Sequence, residues 1–167
     1  PEVASHSAQY AFNTKEVNKR IIYIKGLEDK NIVDATLFFH EDCYYLFFGE
    51  KENSHTVLKL WLSSSPFGIF KPHPMSPIAF SPSDARMGGK LLNLSLGRII
   101  RFGQNNSGEY GESLSVMQIL KLSQTKYEEK QIGNIRIDNF KGPHTIDFNK
   151  DLSKILIDYY SDKFSLL

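Results

Sequence analysis

The sequence has a single cysteine, Cys43, in 167 residues. No intrachain disulfide framework can staple the chain, and no thiolate zinc site can form. It has no excess of either charge: 20 Lys and Arg stand against 19 Asp and Glu. That balance argues against a nucleic-acid partner or a role carried by attraction to an anionic membrane. No apolar run approaches the roughly 18 residues that span a bilayer, so no transmembrane segment is expected. The start, Pro1-Glu2-Val3-Ala4-Ser5-His6, lacks a basic stretch followed by an apolar one. No signal peptide is legible there, and the expected location is cytoplasmic. An initiator Met is missing too, and the expectation is a processed or excised piece of something longer. The chemistry motifs are equally sparse. There is no HExxH or HxH spacing, and the glycines of 103–111 fit neither the GxGxxG nor the P-loop pattern. Ser63-Ser64-Ser65 lacks a nucleophile-elbow context. The expectation is therefore no metal and no cofactor. Two sequons, Asn93-Leu94-Ser95 and Asn105-Asn106-Ser107, matter only in a secretory lumen.

What the sequence has is aromatics. Twelve Phe and eight Tyr accompany one Trp, enough for a large core in one domain spanning 1–167. They fall in short apolar runs broken by turn residues, the pattern of an all-β chain. Strands are expected at 20–24, 35–39, 44–48, 56–62, 89–94, 98–102, 113–122, 134–137, 144–148 and 154–160. His40-Glu41-Asp42 reads as a hairpin turn. The stretch 63–82 is rich in Ser and Pro and reads as a loop that cannot be a central strand. Residues 121–130 carry mixed charge and read as a solvated face. Carboxylates recur at Asp34, Asp84 and Asp147, at spacings of 50 and 63 residues. Repeats of about 40–50 residues with four strands each are the signature of propeller blades. A generic β-sandwich also repeats its strands, and the pattern alone does not choose between the two.

Certain residues look familiar. Residues 31–47, Asn31-Ile32-Val33-Asp34-Ala35-Thr36 through Tyr44-Tyr45-Leu46-Phe47, resemble a hairpin of five-bladed propeller glycosidases of the arabinanase and xylosidase type. Further on come Lys71-Pro72-His73-Pro74, Asp84-Ala85-Arg86-Met87-Gly88-Gly89, Arg101-Phe102-Gly103-Gln104-Asn105, Tyr110-Gly111, Tyr127-Glu128 and Gly142-Pro143-His144-Thr145. In that order they resemble the propeller domain at the N-terminus of glucosamine inositolphosphorylceramide transferase-like proteins, over about residues 31–160. Ala35, Ser76 and Asn105 depart from that family's usual Pro, Asn and Asp. The resemblance implies a partial five-bladed β-propeller, about three blades of four-stranded antiparallel sheet. Such a ring needs another segment, domain or copy to close it.

The resemblance also implies an axial cleft, with Asp34 and His144 facing it. Glycoside cleavage needs two carboxylates, about 5–5.5 Å or 6.5–9.5 Å apart. The candidate catalytic carboxylates are Asp34, Glu112 and Glu128. The candidate ligand-binding set is Asp34, Asp84, Arg86, Arg101, Gln104, Asn105, Tyr110 and His144. Arg86 and Arg101 offer planar forks to anions, and Gln104 and Asn105 offer a donor and an acceptor to sugar hydroxyls. For Arg86 the competing role is a structural ion pair with Asp84 or with an acid of a neighbouring blade. His73, between two prolines, reads as a loop tie. The expected function is a carbohydrate-active module in glycan or glycolipid biosynthesis, binding a sugar or sugar nucleotide and accompanying a glycosyltransferase. The alternatives are a glycoside hydrolase and a non-catalytic interaction scaffold.

Overall fold

The computed structural model describes residues 10–11, 22–109, 111–137, 140 and 142–159. Among the described residues it is all-β, its sheets are antiparallel, and one short 3-10 turn stands at Ser95–Gly97. Strands β1 (Tyr10–Ala11) and β2 (Ile22–Tyr23) form a short pair. The first sheet is a meander of β3 (Ile32–His40), β4 (Cys43–Glu50), β5 (Lys59–Ser63) and β6 (Lys71–Pro72). The second contains β7 (Arg86–Met87), β8 (Leu92–Asn93), β9 (Ile99–Asn105), β10 (Ser113–Leu122) and β11 (Tyr127–Ile135). Its order is β7-β9-β10-β11, with β8 also paired to β9. A third sheet is the pair β12 (Ile146–Phe148) and β13 (Ile155–Ile157).

The sheets pack face to face in chain order, which explains the apolar runs. In β4, Tyr45 and Phe47 point into a cluster with Ala85, Met87, Ile99, Ile119 and Tyr127 of the second-sheet region. The alternate residues Leu46 and Phe48 point the other way, onto Leu27, Ile32, Trp61 and Phe70. In β9, Ile99 faces the first sheet, whereas Ile100 and Phe102 join Ile146 and Phe148 of the third. A strand covered on both faces has no polar face, so its sequence reads as a continuous apolar run. Each fully buried ring such as Phe47 contributes on the order of 1.5–3 kcal/mol.

Adjacent sheets also touch through backbone. A Cβ at Gly89 would stand 2.2 Å from the carbonyl oxygen of Ile146, and Gly89 has φ +112, so only glycine permits this approach. There the chain makes a parallel bridge from Gly89 to Ile146. The Thr36 hydroxyl donates to the Gly89 carbonyl, joining the first sheet to the same point.

Most of the expected strands exist, with shifted ends. The strand expected at 134–137 is instead the end of β11, which starts at Tyr127. The charged run Glu128-Glu129-Lys130 lies inside that strand and is not merely a solvated face. Among the described residues β11 is an outer strand paired by β10 alone, so charge is tolerated along it. The 63–82 loop contributes β6, where Pro72 sits at the sheet edge and its missing N–H costs nothing. Leu58, expected inside a strand, instead bridges to Ala79. Arg20, Ile21 and Tyr160, also expected in strands, lie outside the described residues.

The β3–β4 turn is a two-residue hairpin in which Glu41 and Asp42 both have positive φ, 46 and 57. Asp42 is tolerated there, but Glu41 is not and bears a cost of about 1 kcal/mol. Replacing the pair by Asn-Gly (Glu41→Asn with Asp42→Gly) should stabilise the fold by about 1 kcal/mol. A rise in the urea midpoint at unchanged slope would show it.

Candidate functional site

Near the start of β3 the pairing jumps from Val33–Gly49 to Thr36–Phe47, so Asp34 and Ala35 face one residue of β4. This is a bulge, and Asp34 sits in it with φ 49. Bulges re-aim side chains, and a non-glycine residue held at positive φ marks a position the surroundings over-determine. Here the Asp34 carboxylate meets a cation from the next sheet. The Arg86 Nε, at the start of β7, donates to Asp34 Oδ2 at 2.5 Å. Both side chains are largely but not fully buried, 13% exposed for Arg86 and 22% for Asp34. The guanidinium Nη1 also lies 3.5 Å and 3.4 Å from the two ring nitrogens of His55, in the turn between β4 and β5. Partial burial first, and the Arg86 charge second, hold the His55 ring below its ordinary value near 6.5, against the opposing pull of Asp34. The ring is therefore biased towards its neutral form beside a fixed cation and a carboxylate. Arg86 thus meets the acid of a neighbouring sheet, Asp34, by the first strand of each sheet.

Arg101 occupies a different setting. It is fully buried, and its guanidinium makes a bidentate pair with Glu129, Nε to Oε2 at 2.8 Å and Nη2 to Oε1 at 2.6 Å. Nη1 donates to the Asp84 backbone carbonyl at 2.7 Å, and the Tyr127 hydroxyl donates to Glu129 at 2.6 Å. Burial opposes the Arg101 charge but Glu129 more than restores it, and the group is held cationic. Burial drives the Tyr127 hydroxyl well above its usual range.

The remaining candidates are spread out. Asp84 accepts from the Ser83 hydroxyl, and burial raises its carboxyl above the usual value. Gln104 is 2% exposed and donates to the Met87 carbonyl at 2.8 Å, latching β7 to β9. Asn105 donates to Ser113 and accepts from the Ser107 backbone and hydroxyl, a local turn network. His144 lies against Gly111, its backbone N–H donating to Asp158, and its own carbonyl is close to Gly88. Glu112 pairs with Arg136, and Glu128 pairs with Lys121 on the outer side of the second sheet. Tyr110 lies outside the described residues. Outside the candidate set, His73 is 1% exposed, hydrogen-bonded to Ser123 O and to the Met75 N–H, and ties its loop to the second sheet. A groove of about 500 Å³, lined by His40, Glu41, Gly97, Lys121 and Lys126 among others, lies at the far end of β3. Six residues of strand, about 20 Å, separate it from Asp34.

Two participants were not read from the sequence. His55 stands in the polar turn Glu52-Asn53-Ser54-His55, which carries no local signal of a site. Glu129 sat in a mixed-charge run, and only strand alternation inside β11 could have turned it inward.

The profile of the family described as Glucosamine inositolphosphorylceramide transferase 1, N-terminal, matches residues 5–150. The chain belongs to that family. Its relatives include the glucosamine inositolphosphorylceramide transferase 1 of Arabidopsis thaliana, 37% identical over 116 residues, or 65% of this chain and 15% of the relative. The protein of that name from Oryza sativa subsp. japonica is 33% identical over 125 residues, 70% of this chain and 16% of the relative. The chain therefore spans well under a fifth of the length of these relatives. No solved structure matches it. The match to the N-terminal family covers the first two sheets and β12, and with them Asp34, His55, Arg86 and Arg101.

Two outcomes follow for this family domain. Glu129→Ala strands a buried cation and should cost about 3–5 kcal/mol, while replacing Arg101 and Glu129 together by Met and Leu should cost far less; denaturant melts of the three proteins compare them. His55 binds its proton less readily in the fold than in the unfolded chain, so stability is lost as pH falls through the ordinary His value. His55→Gln should flatten the stability profile between about pH 7 and pH 5, read from urea midpoints.

Proposed function

We propose that this domain is a propeller-type carbohydrate-recognition module of glycolipid assembly, and that it binds a sugar-containing ligand where Asp34, Arg86 and His55 meet. The observation that carries the reading is the Asp34–Arg86 pair, built from the first-strand regions of two successive sheets and left partly open to solvent. Three features support a propeller-type arrangement. A four-strand antiparallel meander is followed by a five-strand antiparallel sheet in which β7 and β8 both pair with β9, each sheet packs its face on the next, and the sheets approach one another through Thr36, Gly89 and Ile146. In this reading the kinship to five-bladed propeller glycosidases is one of architecture, and other segments or copies complete the ring.

The relatives' name joins glucosamine to an inositolphosphorylceramide. A carboxylate beside a guanidinium and an imidazole offers acceptors and donors to vicinal hydroxyls or to an amino sugar. Cleavage would need a second acid near Asp34. Glu112 and Glu128 are each held by a cation elsewhere, and Asp84 is buried against Ser83, which favours recognition over hydrolysis.

Glucosamine, N-acetylglucosamine and myo-inositol 1-phosphate are suitable probes, read by saturation-transfer NMR and calorimetry. Binding of at least one of them is expected, with affinity weakened roughly tenfold or more in Arg86→Ala and in Asp34→Asn, given charge-assisted bonds worth about 1.5–3 kcal/mol. Absence of transfer from every probe, or binding indifferent to both substitutions in folded protein, would refute the reading.

A further inference from the structure

The bulge aims Asp34, but it does not set how far Asp34 lies from Arg86. The two residues come from different sheets, β3 of the first and β7 of the second. Their separation therefore follows from how those sheets are held at this end. The apolar cluster between the sheets includes Tyr45, Phe47, Met87 and Ile99. Apolar burial is non-directional and does not by itself fix a hydrogen-bond distance. A polar link between the sheets does. The Thr36 hydroxyl, on the first sheet, donates to the Gly89 carbonyl of the second-sheet region at 3.2 Å.

Both ends of that bond are anchored. Gly89 follows Arg86 by three residues on one short segment. Along that segment the Met87 carbonyl accepts from Gln104 Nε2 at 2.8 Å. The Gly88 N–H donates to the Phe102 carbonyl at 2.8 Å, and the Gly88 carbonyl accepts from the Ile146 N–H at 2.9 Å. Gly89 itself has no room for a Cβ against Ile146. The acceptor is thus fixed by β9 and β12. On the donor side, Thr36 stands where β3 resumes its pairing after the bulge, opposite the fully buried Phe47. Its branched Cβ limits the directions its hydroxyl can take. Asp34 lies two residues away at φ 49. The Asp34–Arg86 pair is partly exposed, and water weakens such a pair too much for it to hold a left-handed backbone unaided.

We propose that Thr36 is the positioning residue of this cluster: its hydroxyl, bonded to the Gly89 carbonyl, holds the bulged end of β3 where Asp34 Oδ2 reaches Arg86 Nε. Thr36 acts through Asp34 and Arg86 and does not itself touch a ligand. His55 belongs to the first sheet, in the turn between β4 and β5, so it keeps its place beside Arg86 through the same bond. The binding arm of the test rests on the site proposed above, whereas the titration arm does not.

Thr36→Val removes the hydroxyl and keeps a branched side chain suited to a strand, and a circular-dichroism spectrum matching the parent's shows that it folds. Released from Gly89, the first sheet carries Asp34 and His55 together away from Arg86. The His55 ring then loses a cation that holds it below its ordinary value, while Asp34 stays near. Its titration, followed by NMR of the ring protons and assigned with His55→Gln, should move upward. Affinity for whichever of glucosamine, N-acetylglucosamine and myo-inositol 1-phosphate binds the parent should fall roughly three- to tenfold, the worth of one ordinary hydrogen bond. Thr36→Ser restores the hydroxyl and should return both readouts to near the parent's. A His55 titration unmoved in folded Thr36→Val would overturn the proposal. So would Thr36→Ser behaving as Thr36→Val does, which would assign the effect to packing of the methyl group. A titration that moves while affinity holds would support the positioning role and count against the binding site. If no probe binds the parent, the proposed function fails and the titration alone decides the role of Thr36.

Discussion

A guanidinium with no solvent exposure is expensive to place, several kcal/mol before any partner is counted. Arg101 is such a group, and all three of its guanidinium nitrogens donate to fixed partners. Glu129 must face it across β10, and the Tyr127 hydroxyl must hold Glu129 in turn. The carbonyl of Asp84 must come close enough to accept from Nη1. That approach is possible because Gly103 follows two residues later on β9; a Cβ there would stand 2.2 Å from the same carbonyl oxygen. Burying one charge thus fixes the path of the segment entering β7. Arg86 is two residues further along, so its reach towards Asp34 depends on that path.

The fold was largely legible because its physics is local. Aromatic and β-branched runs became β3, β4, β9 and β10, and His40-Glu41-Asp42 turned as its neighbours required. The misplacement of β11 has a clear cause. An outer strand, paired by β10 alone among the described residues, can carry Glu128 and Lys130 outward and Glu129 inward, and no apolar run then marks it. The site was legible only in part. Asp34 and Arg86 stood in recognisable dipeptide contexts, but whether Arg86 met Asp84 or Asp34 depended on which sheet lay beside it. His55 depended entirely on that packing. Arg101 and Gln104 were read as cleft residues because their polarity was visible, whereas their burial, set by partners on other strands such as Glu129 and Met87, was not.

The two Asp-Ala pairs show how repetition and divergence divide the labour. Asp34-Ala35 and Asp84-Ala85 both come at the opening of a sheet. Ala85 is fully buried in the core between the first two sheets, a small residue where those sheets come close. The carboxylates have parted company. Asp84 lends its backbone carbonyl to Arg101 while burial pushes its carboxyl towards the neutral form. Asp34, lifted by the bulge, faces the partly open cluster instead. Paired in this way, the Arg86 guanidinium and the Asp34 carboxylate present donor and acceptor side by side. Under the proposed reading, a ligand rich in hydroxyls would match that pairing, since each hydroxyl can give one hydrogen bond and take another.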